Sequence, residues 1–307
     1  MTTRVSTAGN YQTALLNLMT AQNRSLDAQN RISTEKVATD LAGYGRGSET
    51  LAAMRGSQAR IQGFIDTNDT VSARLSAQDL ALNRVADGAG DARQAIADAL
   101  AAGSLDGLML ELQGQFQIVQ NGLNAQHQGR YLFGGGNVDN PPVTVATMAE
   151  LNAAPSVAGV FANDTLKQSS RIDEGQSVQT GFLASDIGES LFSIFKDIQA
   201  FNATTPITGK IDDATRDFLT AQLTRLDASR SHVTDLAAQN GSLQNRVEAT
   251  LGSLDSQKTQ LDELIGKRTD VDMAQAVTDL QLSQVAIQAS AQLISQLRDV
   301  SLLNFLT

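Results

Sequence analysis

The chain of 307 residues lacks cysteine and tryptophan, and only 4% of its residues are aromatic. Without cysteine it has no disulfide, no thiolate nucleophile and no sulfur-ligated metal. Large globular cores usually contain bulky aromatic residues, because each ring buries much apolar surface. There are only 4 prolines and none follows Pro206, so nothing in the last third forces a helix to break. These shortages exclude thiol chemistry and predict thin, extended helical packing.

Basic residues are also fewer than acidic residues. The chain has 33 acidic and 23 basic side chains, a formal net charge of -10, and no local run of Lys and Arg. Because an acidic surface repels phosphate backbones, we expect no nucleic-acid partner. No apolar run approaches the roughly 20 residues that span a bilayer, so we expect no membrane span. The first residues lack the pattern of a cleaved signal peptide. The protein therefore either stays inside the cell or leaves by a route without such a signal.

The strongest pattern is a seven-residue repeat between about Leu219 and Leu303. Apolar residues at alternating spacings of three and four place one stripe along a helix, which is typical of a coiled-coil seam. Near Gly266 the repeat changes phase, which predicts a joint between two packing environments. The rows before the joint are Leu226, Val233, Asn240, Val247, Leu254 and Leu261, with Leu236, Leu243, Leu264 and Val271 beside them. The row after it is Met273, Leu280, Ile287 and Ile294. Such a seam needs a partner, inside the chain or in a second copy.

Asn240 interrupts a row that is otherwise filled by Val and Leu. A buried amide costs stability unless it is paired, but it can set the register of a helix pair. Alternatively, the seam faces solvent at this level and Asn240 is simply exposed. The sequence leaves both interpretations open.

Three further helices are predicted in the first half of the chain, over Tyr11–Val37, Glu49–Ala102 and Leu105–Gln128. Three glycines between Asp40 and Gly47 predict a break after the first helix. Gly88 and Gly90 are predicted weak points of the second helix, and Ser104 is a predicted N-cap of the third.

Helical periodicity fades from residue 129 to residue 185, which predicts a small β-rich insert. Ile187–Phe201 is again helical, and the long C-terminal helix is expected to begin after Asp213. The predicted fold is mainly α: an elongated antiparallel bundle or coiled coil of long helices, formed by both chain ends, with a small β-rich insert. The predicted divisions are the terminal helices 1–45 and 269–307, the two halves of a helical rod 46–128 and 186–268, and the insert 129–185.

Candidate catalytic and metal-binding groups are few. His127 and His232 are the only histidines, and neither has a second ligand at helical spacing, whereas zinc needs three or four. No serine and histidine form a recognisable triad, and no phosphate-binding loop is present. We therefore expect no enzyme activity, no metal and no cofactor.

Three aspartates near the C-terminus, Asp270, Asp272 and Asp279, lack the glycine and the twelfth-position glutamate of a calcium loop. Ion pairs with Lys267 and Arg268, on the helix surface or between subunits, are the expected role of these carboxylates.

The residues at both ends of the chain resemble the flagellin superfamily. The stretch Gln29-Asn-Arg-Ile-Ser-Thr-Glu-Lys36, followed by Asp40, is similar to its N-terminal signature. Glu35 stands where that signature usually has glycine, and only one of its two aspartates remains. The stretch Gly266-Lys-Arg-Thr-Asp-Val-Asp-Met-Ala274 is similar to the Arg-x-x-Asp-x-Asp-x-Ala signature near flagellin C-termini. The resemblance is weak over the insert.

Within the superfamily, Gly129-Arg-Tyr-Leu-Phe-Gly134 and Asp173-Glu-Gly-Gln-Ser-Val-Gln179 resemble the branch that joins the flagellar hook to the filament. That branch implies a structural subunit that self-assembles into a helical tube or ring through terminal helices that fold together. The implied partners are further copies of the chain, the adjacent hook-associated protein, flagellin and an export chaperone. The implied location is the extracellular hook-filament junction, reached through the flagellar type III export apparatus. A filament flagellin is the alternative, and an intracellular coiled-coil scaffold is a more remote one.

We predict that the two terminal helices meet through Leu15, Leu18 and Ile32 on one side and through Leu280, Ile287 and Ile294 on the other. Each apolar stripe alone is too thin to offset the entropy of ordering a helix, so both ends are expected to fold only on assembly. The apolar residues that close the chain are expected to contact a neighbouring subunit: Leu302, Leu303, Phe305 and Leu306.

Overall fold

The computed structural model of the chain describes residues 2–303, and the side chains of residues 9–297. Within that range the protein is mainly helical with two short antiparallel sheets, which confirms the predicted fold class. The helices are α1 (Thr2–Thr34), α2 (Ser48–Ala102), α3 (Leu108–Leu123), α4 (Met148–Ala153), α5 (Ala184–Thr204), α6 (Asp213–Thr269) and α7 (Met273–Leu303). The strands are β1 (Gln126–His127), β2 (Arg130–Tyr131), β3 (Ser169–Asp173) and β4 (Gln176–Gln179), paired as β1–β2 and β3–β4.

The contacts between residues divide the chain into two compact units. The terminal unit comprises the described residues of Met1–Arg60 and Gln257–Thr307, and the central unit comprises Ile61–Ser256. Helices α2 and α6 each contribute residues to both units.

The central unit collects the few aromatic side chains in one core. The ring centroids of Phe116 in α3 and Phe192 in α5 lie 5.0 Å apart, and Phe195 meets Phe116 edge-on at 5.5 Å. All three side chains are fully buried. The low aromatic content of the chain therefore does not mean that a globular core is missing, because the rings are concentrated here.

Glycine lets α3 approach α2 closely in this core. A Cβ atom on Gly88 would lie 2.9 Å from Cγ2 of Val119, and one on Gly122 would lie 2.7 Å from Cγ2 of Val85. Helix α2 continues without a break through Gly88 and Gly90. The prediction that these glycines weaken the helix is wrong, because Gly88 provides the space for a neighbouring helix.

The seam of α6 faces α2 within the central unit. Leu226, Val233, Val247 and Leu254 are buried, which confirms this part of the predicted row. Leu261 is only half-buried, and Leu264 of the second row is 47% exposed, so the prediction is wrong for Leu264. Asn240 is fully buried as well, and its Nδ2 donates to the carbonyl oxygen of Leu75 at 2.9 Å. The interpretation that Asn240 is exposed is thus wrong, because it is buried and bonded to α2. That it sets the register of the helix pair stays a prediction.

The insert contains more than β structure. Helix α4 has an N-cap at Thr147, whose Oγ1 accepts from the backbone N–H of Glu150 at 3.1 Å, and the Glu150 carboxylate accepts from the N–H of Ala146 at 2.8 Å. This reciprocal pattern resembles a capping box, except that the glutamate accepts from the residue before the N-cap. The β3–β4 hairpin buries Ile172 and Val178 together with Val71, Leu75 and Val247 of the long helices.

Several element boundaries differ from the prediction. Ser104 does not cap α3: its hydroxyl donates to Asp106, and α3 begins after Gly107, whose φ of 82° ends the preceding loop. The third helix stops at Leu123 and not at Gln128, because the β1–β2 hairpin follows. A break does follow α1, where a 3-10 helix spans Ala42–Gly47.

Candidate functional site: the paired chain ends

The two ends of the chain meet at a short antiparallel contact between residues 35–37 and 269–271. The N–H of Val37 donates to the carbonyl oxygen of Thr269 at 2.8 Å, and the N–H of Val271 donates to that of Glu35 at 3.0 Å. Lys36 faces Asp270 between these bonds. The two stretches that resemble flagellin signatures therefore lie against each other, although 234 residues of chain separate Lys36 from Asp270. The sequence predicts that the two terminal helices meet, but no residue pattern pairs these two stretches.

The contact ends α1 by placing Glu35 in a left-handed conformation with a φ of 55°. A side chain with a Cβ atom is strained there, by roughly 1–2 kcal/mol, whereas glycine is not. In the flagellin signature that this stretch resembles, glycine usually stands at this position. The left-handed backbone at Glu35 is a physical reason for that preference.

The aspartates of the C-terminal stretch have local roles. The carboxylate of Asp270 accepts from Nζ of Lys36 at 2.5 Å and from Oγ1 of Thr269 at 3.0 Å, and these bonds lower its pKa, with Lys36 the larger cause. Asp272 accepts from the N–H groups of Ala274 and Gln275, so it is the N-cap of α7. The expected pairing of Asp270 with Lys267 or Arg268 is corrected, because Lys36 takes that place.

Beyond this contact, α1 and α7 pack along each other with Cα atoms of the two helices within 8 Å. The side chains that are buried between them are small. They recur every seven residues on each helix, and a spacing of seven keeps them on one face. The positions with this spacing are Ala14, Ala21 and Ala28 in α1, and Ala276, Ser283 and Ser290 in α7, and Ser25 of α1 is buried in addition to them. Small side chains allow the close approach of the two backbones.

The predicted interface residues lie beside this seam. Leu18 and Ile32 of α1 are half-buried, and so are Leu280, Ile287 and Ile294 of α7. Leu15 is 40% exposed. The side chains of Leu302 and Leu303, and the whole of Phe305 and Leu306, lie outside the described residues. Whether any of these residues makes an assembly contact stays a prediction.

Both helices leave larger apolar side chains uncovered on their outer surfaces. We refer to the following set as the outer apolar face: Leu16, Met19, Leu26, Leu282, Val285 and Leu293. Part of it borders a groove of about 700 Å³ between α1 and α7, which Arg24, Asp27, Arg31 and Asp279 also line. Sequence reasoning missed this face, because it assigned the large apolar residues to the contact within the chain.

Within residues 2–303, no helix is both long enough and apolar enough to cross a membrane.

Comparisons with known proteins agree with this architecture. Residues 223–306, which include most of α6 and α7, match the family profile of the bacterial flagellin C-terminal helical region. A search of curated protein sequences returned no match.

The fold is similar over most of the chain to two solved structures. One is assigned to a flagellar hook-associated protein of Vibrio parahaemolyticus, with a TM-score of 0.61, 18% identity, and coverage of 75% of this chain and 99% of the other. The second is FlgL of Bacillus cereus, with a TM-score of 0.56, 16% identity, and coverage of 70% and 99%. The chain therefore has the fold of these flagellar proteins and carries a flagellin-like C-terminal helical region.

Proposed function

We propose that the protein is a structural subunit of the bacterial flagellum that joins the hook to the filament. It is not an enzyme in this proposal, and its partners are further copies of itself, the adjacent hook-associated protein, flagellin and an export chaperone. Its place is the extracellular junction, which it reaches by flagellar export. The matched profile and the shared fold support a flagellar subunit, and the hook-associated neighbours favour the junction over the filament.

The observation that carries the proposal is the outer apolar face of α1 and α7. Exposed apolar patches on a folded chain are typical of interfaces with other chains. Covering Leu282, Leu293 and their neighbours with the same helices of adjacent subunits would remove that surface from water, at roughly 25 cal/mol per Å². The terminal helices thus provide both a contact within the chain and a surface for assembly.

The experiment places charge on this face at two exposed positions that border the groove between α1 and α7. Leu282→Asp combined with Leu293→Asp changes two side chains that are 63% and 54% exposed, so the monomer is expected to fold and to be exported. In a strain without its own copy of the gene, this variant should fail to hold filaments on the hook and should release flagellin into the medium. The matched control is Leu110→Asp, which changes a side chain of α3 that is 80% exposed and should leave normal filaments.

Normal filaments on the double variant would contradict the role of this face. Immunogold labelling of the wild-type protein separates the two flagellar functions. A single label at the end of the hook supports the junction function. Label along the filament would instead indicate that the protein is a filament flagellin.

A further inference from the structure

The central unit contains a positively charged pocket, although the net charge of the chain is -10. The pocket, of about 390 Å³, lies between α2, the β1–β2 hairpin and the segment before β3. Arg74 and Arg130 supply its positive charge, His127 also lines it, and we call these three side chains the cationic cluster. Polar and aromatic neighbours are Thr70, Tyr131 and Gln168, and no carboxylate lines this pocket.

Arg74 is an exception among the arginines of the described side chains. Four of these arginines are half-buried, and the other three each pair with an aspartate: Arg31 with Asp27, Arg93 with Asp227, and Arg225 with Asp197. Arg74 has no such pair among the described residues. Its guanidinium donates instead to Oε1 of Gln168, which is neutral. A partly buried positive charge is therefore left without a counter-charge.

Gln168 holds Arg74 in place and has little freedom of its own. Its side-chain Nε2 donates to the carbonyl oxygen of Gly135 at 3.0 Å. Its backbone carbonyl oxygen accepts from the N–H groups of Thr180 and Gly181. Burial lowers the pKa of Arg74, because desolvation penalises the charged form. A guanidinium nevertheless stays protonated in proteins, so the charge persists and a bound anion would offset its desolvation.

The hairpin brings the other two members of the cluster together. Gln128 and Gly129 have φ values of 51° and 76°, which form a tight two-residue turn. The register pairs His127 with Arg130 across the hairpin, so these side chains are neighbours on one face. Nε2 of His127 is buried and has no hydrogen-bond partner among the described residues. An anion in the pocket would give this nitrogen a partner.

We propose that the cationic cluster is a binding site for the oxyanion of a small solute, a carboxylate or a phosphate group. A guanidinium fork binds either group through two parallel hydrogen bonds, which gives geometric selectivity over a spherical ion such as chloride. Arg130 is exposed at the mouth, where it attracts the anion, and Arg74 is held further in by Gln168. Tyr131 offers a ring surface to the remainder of the solute.

The test is isothermal titration calorimetry on the full-length monomer, with sodium phosphate and sodium acetate as the two probes in sodium chloride of matched ionic strength. We expect saturable binding of at least one probe, and the tighter one identifies the group as phosphate or carboxylate. Arg74→Gln should weaken binding at least roughly tenfold, because it removes one charge-assisted contact. The matched control is Arg84→Gln on the same helix, which changes an exposed arginine outside the pocket and should bind as the wild type does.

Arg130→Gln guards against a folding defect in Arg74→Gln, because Arg130 is exposed and its replacement leaves the packing unchanged. It should also weaken binding, and circular dichroism of each variant shows whether the helices are intact. The proposal is overturned if neither probe binds saturably to the wild type. It is equally overturned if folded Arg74→Gln and Arg130→Gln both bind as tightly as Arg84→Gln.

Discussion

The core around Phe116 and the seam between α1 and α7 are built from opposite kinds of side chain. In the central unit, Phe116, Phe192 and Phe195 are fully buried. In the terminal unit, the buried positions of the seam are alanines and serines. A buried phenylalanine removes roughly 150–250 Å² from water, far more than a methyl group does. The first region can therefore stabilise itself, whereas the second gains little and leaves large apolar side chains exposed.

Phe192→Ala should have the largest effect on stability. The ring contacts both Phe116 at 5.0 Å and Phe161 at 5.2 Å, and its loss leaves a cavity in a close-packed core. We expect a loss of about 3–5 kcal/mol in the free energy of unfolding. Urea denaturation followed by circular dichroism measures it, with exposed Leu110→Ala as the control. A loss below about 1 kcal/mol would mean that the core is not close-packed, and the contrast with the seam would disappear.

This contrast also explains what the sequence predicted and what it did not. The row from Leu226 to Leu254 was predicted correctly, because large aliphatic side chains at heptad spacing face α2. The same reasoning fails at the chain ends, since the buried positions are Ala21, Ser283 and their equivalents, which have little hydrophobic signal. A search for small residues at a spacing of seven would have found this seam.

The contact of Lys36 with Asp270 could not be predicted without the fold. Its two sides are far apart in the sequence, and Lys267 and Arg268 are nearer in the chain to Asp270. Likewise, no pattern shows that Gln168, far from Arg74 in the chain, would be its neutral partner. That the chain ends fold only on assembly stays a prediction, which the small buried seam favours.

Ala28→Leu tests the seam by adding bulk at one of its buried positions. Ala28 is 2% exposed, and three further carbon atoms must push α1 away from α7. Overpacking of this kind costs about 1–3 kcal/mol. Because the change lies in the terminal unit, faster amide hydrogen exchange is expected in α1 and α7, with little change around Phe116. Gln22→Leu adds an apolar side chain at an exposed position of α1 and is the control. Equal exchange in both variants would show that the seam has room for a large residue.

Glu35→Gly sharpens the comparison in the opposite direction, because it should stabilise the terminal unit. The left-handed φ of 55° strains glutamate by roughly 1–2 kcal/mol, and glycine removes this strain. Glycine also raises the entropy of the unfolded chain, which cancels part of the gain in stability. The expected net gain is about 0.5–1 kcal/mol. Slower amide exchange of Val37 and Val271, whose N–H groups form the contact, would report it. Faster exchange would show that the glutamate side chain contributes more than its backbone costs.

The smallest effect is expected from Lys36→Gln, which removes the charge beside Asp270. The pair is about half exposed, so solvent and salt screen it and its contribution to stability is small.

The effect of Lys36→Gln on the titration of Asp270 is clearer. The hydrogen bond from Lys36 lowers the pKa of Asp270 in the folded protein, so it stabilises the contact above the unfolded pKa of about 3.9. That stabilisation is lost as the pH falls through the folded pKa. In Lys36→Gln the pKa of Asp270 should rise toward its ordinary value, although the bond from Thr269 keeps part of the shift.

An NMR titration of the Asp270 carboxyl carbon measures this shift directly. Lys267→Gln is the matched control, because Lys267 is exposed and is a partner that the sequence alone suggests. It should leave the titration of Asp270 nearly unchanged, and added salt should reduce the difference between the two variants. A larger shift in Lys267→Gln than in Lys36→Gln would mean that the two chain ends do not meet through this ion pair. The antiparallel contact would then depend on its two backbone hydrogen bonds alone.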